Sequence, residues 1–346
     1  AVPYLIEAEG TNCENLPGTH TILKQLRAMV DEEYPGRILL CEANQWPDDV
    51  VEYVGDGDEC QMAFHFPVMP RLYMGLRRSS RECISQILAD TPQIPEGCQW
   101  GTFLRNHDEL TLEMVTEEER RYMWEEYAPE SRWRCNLGIR RRLSPLVDND
   151  DAKIRLLNAM LLSLPGSPVL YYGDEIGMGD DPWLPDRDGV RTPMQWDDSE
   201  TAGFSTALPE DFHLPVIHTF GHDPEHVNVA RQMDDPSSLL VWTRAMLGIR
   251  RHHPVFGTGE FTDLGGADMA VMSFLRHNEH ETILCLANLS DTERTVTLHL
   301  PQFAGVTGSS LIHGQDAHPV KSDGTLSVPL WPYGYRWLQM SGEEKS

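Results

Sequence analysis

The sequence predicts an α/β protein in two parts, a parallel β-sheet flanked by helices and then a smaller antiparallel β-domain. Apolar strand-like runs alternate with helical patterns as far as His252, which is typical of βα units. Beyond Pro254 the helical patterns stop, and short alternating runs separated by Asn, Asp, Gly and Pro take their place. The chain has 346 residues, 40% of them hydrophobic, which is enough for one large domain and one small one.

The first part alternates helices and strands in a regular order. Apolar spacing over residues 19–34 predicts a helix that ends at the Pro-Gly pair 35–36. The run RILLCEA at 37–43 then predicts a buried strand whose last residues emerge at its carboxyl end. Further strands are predicted at 61–66, 100–106 and 168–173, and further helices at 71–88, 152–164 and 237–252. Residues 197–235 show no periodicity and predict a long surface loop.

The second part reads as a small antiparallel β-domain. Its predicted strands lie at 270–276, 282–288, 294–300, 308–313, 325–330 and 335–340. The sequence therefore divides into a first domain over 1–256, a β-domain over 257–341 and a frayed tail over 342–346.

Charge and hydropathy exclude several classes of partner. The chain has 28 Lys and Arg against 54 Asp and Glu, a net charge of −26 that repels phosphate backbones and anionic lipid surfaces. No run approaches the ~20 apolar residues that a membrane span needs. We therefore expect neither nucleic acid nor a membrane as a partner.

The cysteines indicate a reducing compartment. They are odd in number and scattered without a CxxC pair, which argues against a disulfide framework and against a zinc site. The sequence therefore predicts a cytoplasmic location.

Acidic residues follow three of the predicted strands. Glu42 ends the first strand, Asp108 follows the third, and Asp174 with Glu175 follows the fourth. Carboxylates at the carboxyl ends of parallel strands face the place where such sheets bind substrate, and paired carboxylates can transfer protons and stabilise a cation. The alternative is that these residues are helix caps or loop acids.

The residues around these acids resemble the α-amylase superfamily, glycoside hydrolase family 13. The similar blocks are LLCEANQW at 39–46, FLRNHD at 103–108, YYGDEIGM at 171–178 and RDGVRTPMQW at 187–196. The resemblance implies strands five to eight of a (β/α)₈ TIM barrel, followed by an antiparallel β-sandwich. It also implies that Glu42 is the general acid and that Asp108 stabilises the transition state.

Three longer stretches, at 1–20, 43–71 and 106–120, resemble the branch of that superfamily that isomerises maltose to α,α-trehalose. The resemblance implies a retaining intramolecular glucosyl transfer with maltose and trehalose as substrates. Glu42 would protonate the glycosidic oxygen and later deprotonate the incoming hydroxyl, while Asp108, His107 and Arg187 would bind the sugar. A homo-oligomer and a maltokinase partner are left open.

The same resemblance implies that the nucleophilic aspartate and the first four barrel strands precede residue 1. We therefore expect this chain to be the carboxyl-terminal part of such an enzyme and to be inactive alone. One alternative is a hydrolase similar to α-glucosidase or oligo-1,6-glucosidase, which differs in how well water is excluded. Another, of a different class, is a non-catalytic carbohydrate-binding or interaction module.

Three further assignments depend on the resemblance or remain open. In the intact enzyme calcium would be bound by the carbonyls of Tyr4 and Leu5 and the carboxylate of Glu7, oxygen ligands that suit a hard cation. In this chain alone we expect Glu7 to be a solvated loop acid. Arg191 could contact sugar or donate a structural ion pair. Six aromatic residues near the strand ends could form a dry wall or belong to the core: Trp46, Phe64, Phe66, Tyr171, Tyr172 and Trp196.

Overall fold

The computed structural model describes residues 1–312, 314 and 316–341; the predicted tail at 342–346 and the predicted strand end at His313 lie outside the described residues. The helices are α1 (Pro17–Glu33), α2 (Pro47–Val50), α3 (Val68–Arg78), α4 (Glu82–Ala89), α5 (Glu117–Tyr127), α6 (Leu143–Leu146), α7 (Asp151–Ser163), α8 (Val229–Met233), α9 (Leu239–His252) and α10 (Val255–Thr258). Within the described part of the chain, no helix combines the length and apolarity that crossing a membrane requires.

The first part contains a parallel sheet whose strands follow the predicted order. Its strands are β1 (Leu40–Cys41), β2 (Met62–Phe64), β3 (Gln99–Phe103) and β6 (Ser167–Val169), and a separate hairpin is formed by β4 (Arg134–Cys135) and β5 (Gly138–Ile139). The sheet order is β1-β2-β3-β6, and every pair in it is parallel. The four predicted strands are therefore confirmed, each shorter than its apolar run. That they are strands five to eight of a barrel stays a prediction.

One predicted helix, at 71–88, is wrong as a single element. The structure has α3 and α4 there, separated at Ser79, whose φ of 47° and ψ of 46° are left-handed. A Cβ on Gly75 would lie 2.6 Å from Cδ1 of Ile84, so this glycine lets α4 pack closely against α3. The chain therefore forms two short helices that pack on each other instead of one long helix.

Helix α5 was not predicted, although its start carries a local signal. Thr116 accepts a hydrogen bond from the N–H of Glu119, and the Glu119 carboxylate accepts one from the N–H of Thr116. This reciprocal pair is a capping box, which satisfies two backbone donors at the start of a helix. The predicted loop at 197–235 is confirmed for most of its length, with α8 near its end.

The second part is an antiparallel β-sandwich. Its strands are β7 (Glu260–Asp263), β8 (Val271–His277), β9 (Thr282–Asn288), β10 (Arg294–His299), β11 (Thr307–Ser310), β12 (Ala317–Pro319), β13 (Thr325–Leu330) and β14 (Tyr335–Ser341). A six-stranded sheet in the order β12-β11-β14-β9-β8-β7 is covered on one face by the pair β10-β13. The antiparallel domain is confirmed, and β7 and β12 are additional strands.

The other face of the six-stranded sheet joins the two parts of the molecule. Consecutive residues of β14 face opposite sides of this sheet. Leu338 belongs to the core of the sandwich, whereas Trp337 belongs to the core shared with the helices. The buried guanidinium of Arg276 crosses the same boundary, donating to the carbonyls of Ser163 and Gly259 at 2.8 and 2.9 Å. A cation at the carboxyl end of α7 is favourable because the carbonyls there carry partial negative charge.

Candidate functional site

The carboxyl ends of the four parallel strands place the predicted acids at one edge of the sheet. Glu42 comes directly after Cys41, the last residue of β1, and Asp108 lies five residues beyond Phe103, the last residue of β3. Strand β2 lies between β1 and β3, so the two acids follow strands that are not adjacent in the sheet. Neighbouring strands are about 4.8 Å apart, so the ends of β1 and β3 are about 10 Å apart.

Glu42 is held by its backbone and leaves its carboxylate available. Its carbonyl accepts a hydrogen bond from the N–H of Val2 at 3.2 Å, and its neighbours Cys41 and Ala43 are buried. The Glu42 side chain is half-buried and makes no hydrogen bond with any residue that the structure describes. A carboxyl group without protein partners can exchange a proton with a bound molecule.

Asp108 is fixed through both its backbone and its side chain. Its N–H donates to Oδ1 of Asn106 at 2.9 Å, and its carbonyl accepts from the buried Arg105 at 2.8 Å. Its Oδ1 lies 2.5 Å from Nη2 of Arg191 and 3.5 Å from Nη1 of Arg187. Two guanidinium groups thus share one carboxylate that is still 30% exposed.

His107 and Arg191 lie beside this carboxylate. The His107 ring is 61% exposed, with Nε2 at 3.7 Å from Oδ2 of Asp108. Nε of Arg191 donates to the His107 carbonyl at 2.7 Å. The sequence left the role of Arg191 open, and the structure brings it into the site together with three predicted site residues, Asp108, His107 and Arg187.

The YYGDEIGM and RDGVRTPMQW blocks meet behind the arginines. The hydroxyls of Tyr171 and Tyr172 donate to the carbonyls of Val190 and Thr192 at 2.8 and 2.6 Å. The buried Arg142 guanidinium lies 4.7 Å from the centroid of each tyrosine ring. These contacts fix the segment that carries Arg187 and Arg191 to the strand ends.

The six aromatic residues divide between core and surface. Phe64 and Phe66 pack against Phe103 in the hydrophobic core, as the core alternative predicted. Tyr172 and Trp196 instead line a cavity of about 680 Å³, together with Glu175, Arg191, Phe204 and Phe212 among others. The remaining two, Trp46 and Tyr171, contact Arg71 and Arg142 through their rings. Two of the six residues therefore line a cavity, and two others belong to the core.

Asp174 is buried behind the site. It is 4% exposed, and its Oδ1 lies 3.9 Å from Nη1 of Arg142. Burial raises the pKa of the Asp174 carboxyl from its ordinary 3.8 to about 7, against the lowering effect of Arg142 and Arg105. Of the acids after β6, Glu175 reaches the cavity and Asp174 does not.

Replacing Asp174 with Asn should change the pH dependence of stability. Because the folded pKa of Asp174 is raised, its favourable contribution is complete below about pH 4 and is lost as the pH rises through about 7. The Tm of the unmodified chain should therefore fall relative to that of Asp174→Asn between about pH 4 and about pH 7, and the corresponding difference in unfolding free energy should be a few kcal/mol at most. Thermal unfolding across this range measures the difference, with the exposed Asp198→Asn as control. A difference that does not vary with pH would contradict the assignment.

The predicted calcium ligands fit the cation in chemistry but not in number. Tyr4 and Leu5 are exposed, and their carbonyls accept no backbone hydrogen bond from the described residues. With Glu7 they offer three oxygen donors, whereas calcium usually takes six or more. Among the residues with described placement, no group of three His, Cys, Asp or Glu could hold a metal ion.

Comparison with known proteins gives two family matches. Residues 4–259 match the model of the α-amylase catalytic domain, and residues 264–337 match that of the maltogenic amylase C-terminal domain. The chain is 54% identical over 99% of its length to the trehalose synthase/amylase of Mycobacterium tuberculosis, and it spans 58% of that protein. It is also 54% identical over 99% of its length to the trehalose synthase of Pimelobacter sp., spanning 62% of it.

Solved structures with the same fold are more distant in sequence. The α-amylase of H. orenii aligns with a TM-score of 0.67 at 18% identity, covering 93% of this chain and 57% of that one. The trehalulose synthase of Pseudomonas mesoacidophila aligns with a TM-score of 0.65 at 23% identity, covering 93% and 59%. These likenesses concern the fold alone.

Proposed function

We propose, from the premise that this chain belongs to the α-amylase family, that it forms part of a trehalose synthase that isomerises maltose to α,α-trehalose. The observation that carries the proposal is the group of Glu42, Asp108 and two arginines at one edge of the sheet. The similarity of the chain to two trehalose synthases, over 99% of the chain's length, supports the same assignment.

In this proposal Glu42 is the general acid. Its carboxyl group, free of described protein partners, protonates the glycosidic oxygen of maltose and then removes a proton from the hydroxyl that attacks. Asp108 binds hydroxyls of the reacting glucose, and its charge favours the cationic transition state. Arg187, Arg191 and His107 hold Asp108 and donate to the sugar.

Retention requires a second carboxylate close to the acid. In retaining enzymes the nucleophile and the acid are about 5 to 5.5 Å apart. The ends of β1 and β3 are about 10 Å apart, which supports a charge-stabilising role for Asp108 rather than attack. We therefore propose that the nucleophile comes from polypeptide outside this chain and that this chain alone does not turn over maltose.

A two-segment expression experiment tests the function. The chain is expressed alone and joined to the part of the Mycobacterium tuberculosis relative that it does not cover, and maltose, trehalose and glucose are separated by chromatography. We expect no conversion by the chain alone and more trehalose than glucose from the joined protein. Glucose as the main product would favour an α-glucosidase, and no conversion by a folded joined protein would contradict an enzymatic role.

Calcium is proposed as a ligand of the joined protein only, because Tyr4, Leu5 and Glu7 need further oxygen donors. Calcium should raise the Tm of the joined protein and leave the Tm of the chain alone unchanged. Glu7→Gln should remove the increase, since it takes away the charged ligand, whereas Glu9→Gln should not. An equal increase in both proteins would contradict this set of ligands.

The remaining proposals concern organisation and location. We propose a domain boundary at 256–257, close to where the chain changes from helices to strands between α10, which ends at Thr258, and β7, which starts at Glu260. We also propose a cytoplasmic location, supported by seven cysteines that are all free thiols. A homo-oligomer and a maltokinase partner are further proposals that rest on the resemblance to maltose-isomerising enzymes.

A further inference from the structure

Arg187 is surrounded by three acids that differ in burial. Its Nε lies 2.8 Å from Oε2 of Glu109 and 3.7 Å from Oδ1 of Asp186, while its Nη1 lies 3.5 Å from Oδ1 of Asp108. The side chain of Glu109 is 13% exposed and that of Asp186 is 56% exposed. Because water screens the exposed carboxylate, the strong interaction at Nε is the one with Glu109.

Glu109 is itself held rigidly. Its Oε1 accepts a hydrogen bond from Nδ2 of Asn136 at 2.8 Å, in the turn between β4 and β5. The next residue, Leu110, exchanges two backbone hydrogen bonds with Ile139 of β5, at 2.8 and 3.0 Å. A Cβ on Gly138 would lie 2.6 Å from Cγ of Glu109, so only a glycine there lets the β4-β5 hairpin pack against this side chain.

The contact between Glu109 and Arg187 is a charge contact. Oε2 of Glu109 and Nε of Arg187 are both buried and make no hydrogen bond with the described residues, so each is compensated by the opposite charge. Burial lowers the pKa of Arg187, but Glu109, Asp108 and Asp186 together raise it. The guanidinium therefore stays charged among these three carboxylates.

We propose that Glu109 is a positioning residue, which fixes the Nε end of Arg187 so that its Nη1 end meets Asp108. Without the Glu109 charge, Arg187 can turn towards Asp186 at the surface. Asp108 then keeps Arg191 but loses Arg187 as a guanidinium partner. Asp108 would then rotate away from the hydroxyls that it binds. This inference rests on the proposed function, since it assigns to Asp108 the role of a sugar-binding carboxylate.

The kinetic test compares Glu109→Gln with Asp186→Asn in the joined protein. Both variants remove one carboxylate charge near the same Nε, but only the first removes the buried one. We expect Glu109→Gln to lower kcat/KM for maltose by about 100-fold, with a clear rise in KM, because small misplacements of binding groups have effects of this size. Asp186→Asn should stay within about threefold of the unmodified protein, as expected for an exposed charge. Equal effects of the two variants would overturn the proposal.

A rise in KM separates positioning from loss of folded enzyme, since less active protein lowers the apparent kcat and leaves KM unchanged. A fall in kcat alone, together with a lower Tm, would mean that Glu109 is only structural. In an Arg187→Met background, Glu109→Gln should have no further effect on KM. An undiminished effect there would show that Glu109 acts on something other than Arg187.

The pairing can also be measured without turnover, in the chain alone. The Tm changes of Glu109→Gln and Arg187→Met should be non-additive in the double variant, because the two groups share one contact. Additive changes would overturn the pairing whatever the enzyme does. If the joined protein fails to convert maltose while the changes are non-additive, the proposed function is wrong and the contact between Glu109 and Arg187 is upheld.

Discussion

Glu42→Gln should reduce maltose conversion by the joined protein about 10²- to 10⁴-fold, the usual contribution of general acid–base catalysis. The amide has nearly the shape of the carboxyl group, but it cannot give or take the proton. Since the Glu42 side chain makes no hydrogen bond with the described residues, the change should leave the Tm nearly unaltered. Glu52→Gln, on an exposed acid of the same region, is the matched control and should retain full activity.

The leaving group offers a sharper check on the role of Glu42. The leaving group of α-glucosyl fluoride is fluoride, which needs little protonation. The loss of rate that Glu42→Gln causes in the first chemical step should therefore be smaller with this donor than with maltose. A defect of equal size with maltose and with the fluoride would mean that Glu42 binds substrate instead of protonating it. If Glu42→Gln converted maltose nearly as fast as the unmodified protein, the general acid would be another residue. Glu175, which lines the cavity, would be the first candidate.

The strands were predictable because their signals are local. Each overlaps a short apolar run, and Cys41 and Ala63, which are opposite each other in neighbouring strands, are both 1% exposed. The break at Ser79 falls in the polar run 77–82, and the apolar spacing on its two sides does not distinguish one helix from two. What decides it is the close approach of Gly75 and Ile84, a tertiary contact that helical spacing does not encode.

The acidic residues of the site were predictable from the sequence, but the contacts between acids and arginines were not. Glu42 and Asp108 follow strands, and their positions along the chain are enough to place them at one edge of the sheet. The partner of Asp108 at Arg191 lies 83 residues further on, and that of Glu109 at Arg187 lies 78 residues further on. Both contacts depend on how the segment after β6 folds back over the loop after β3, which no local pattern reports.

The chain alone should self-associate through the edges of its parallel sheet. Strands β1 and β6 are the edge strands of that sheet, so each has one side without a neighbouring strand in the described structure. Apolar side chains are exposed at both edges, with Leu40 43% and Val169 37% exposed, and Ile38 beside β1 57% exposed. Unpaired N–H and C=O groups next to apolar side chains are a template for pairing with another strand.

Lysine at these edges should therefore keep the chain monomeric. Leu40→Lys with Val169→Lys adds two charges where a neighbouring strand would have to pack, and light scattering over a range of concentrations should show the mass falling from that of an oligomer to 39.3 kDa. Leu208→Lys, at an exposed loop position, is the control and should leave the association unchanged. If its additional segment covers the same edges, the joined protein should not associate through them, and the two lysines should leave its mass unchanged. If the unmodified chain is monomeric at every concentration, these edges do not pair with another strand. The argument that further strands normally cover them would then fail.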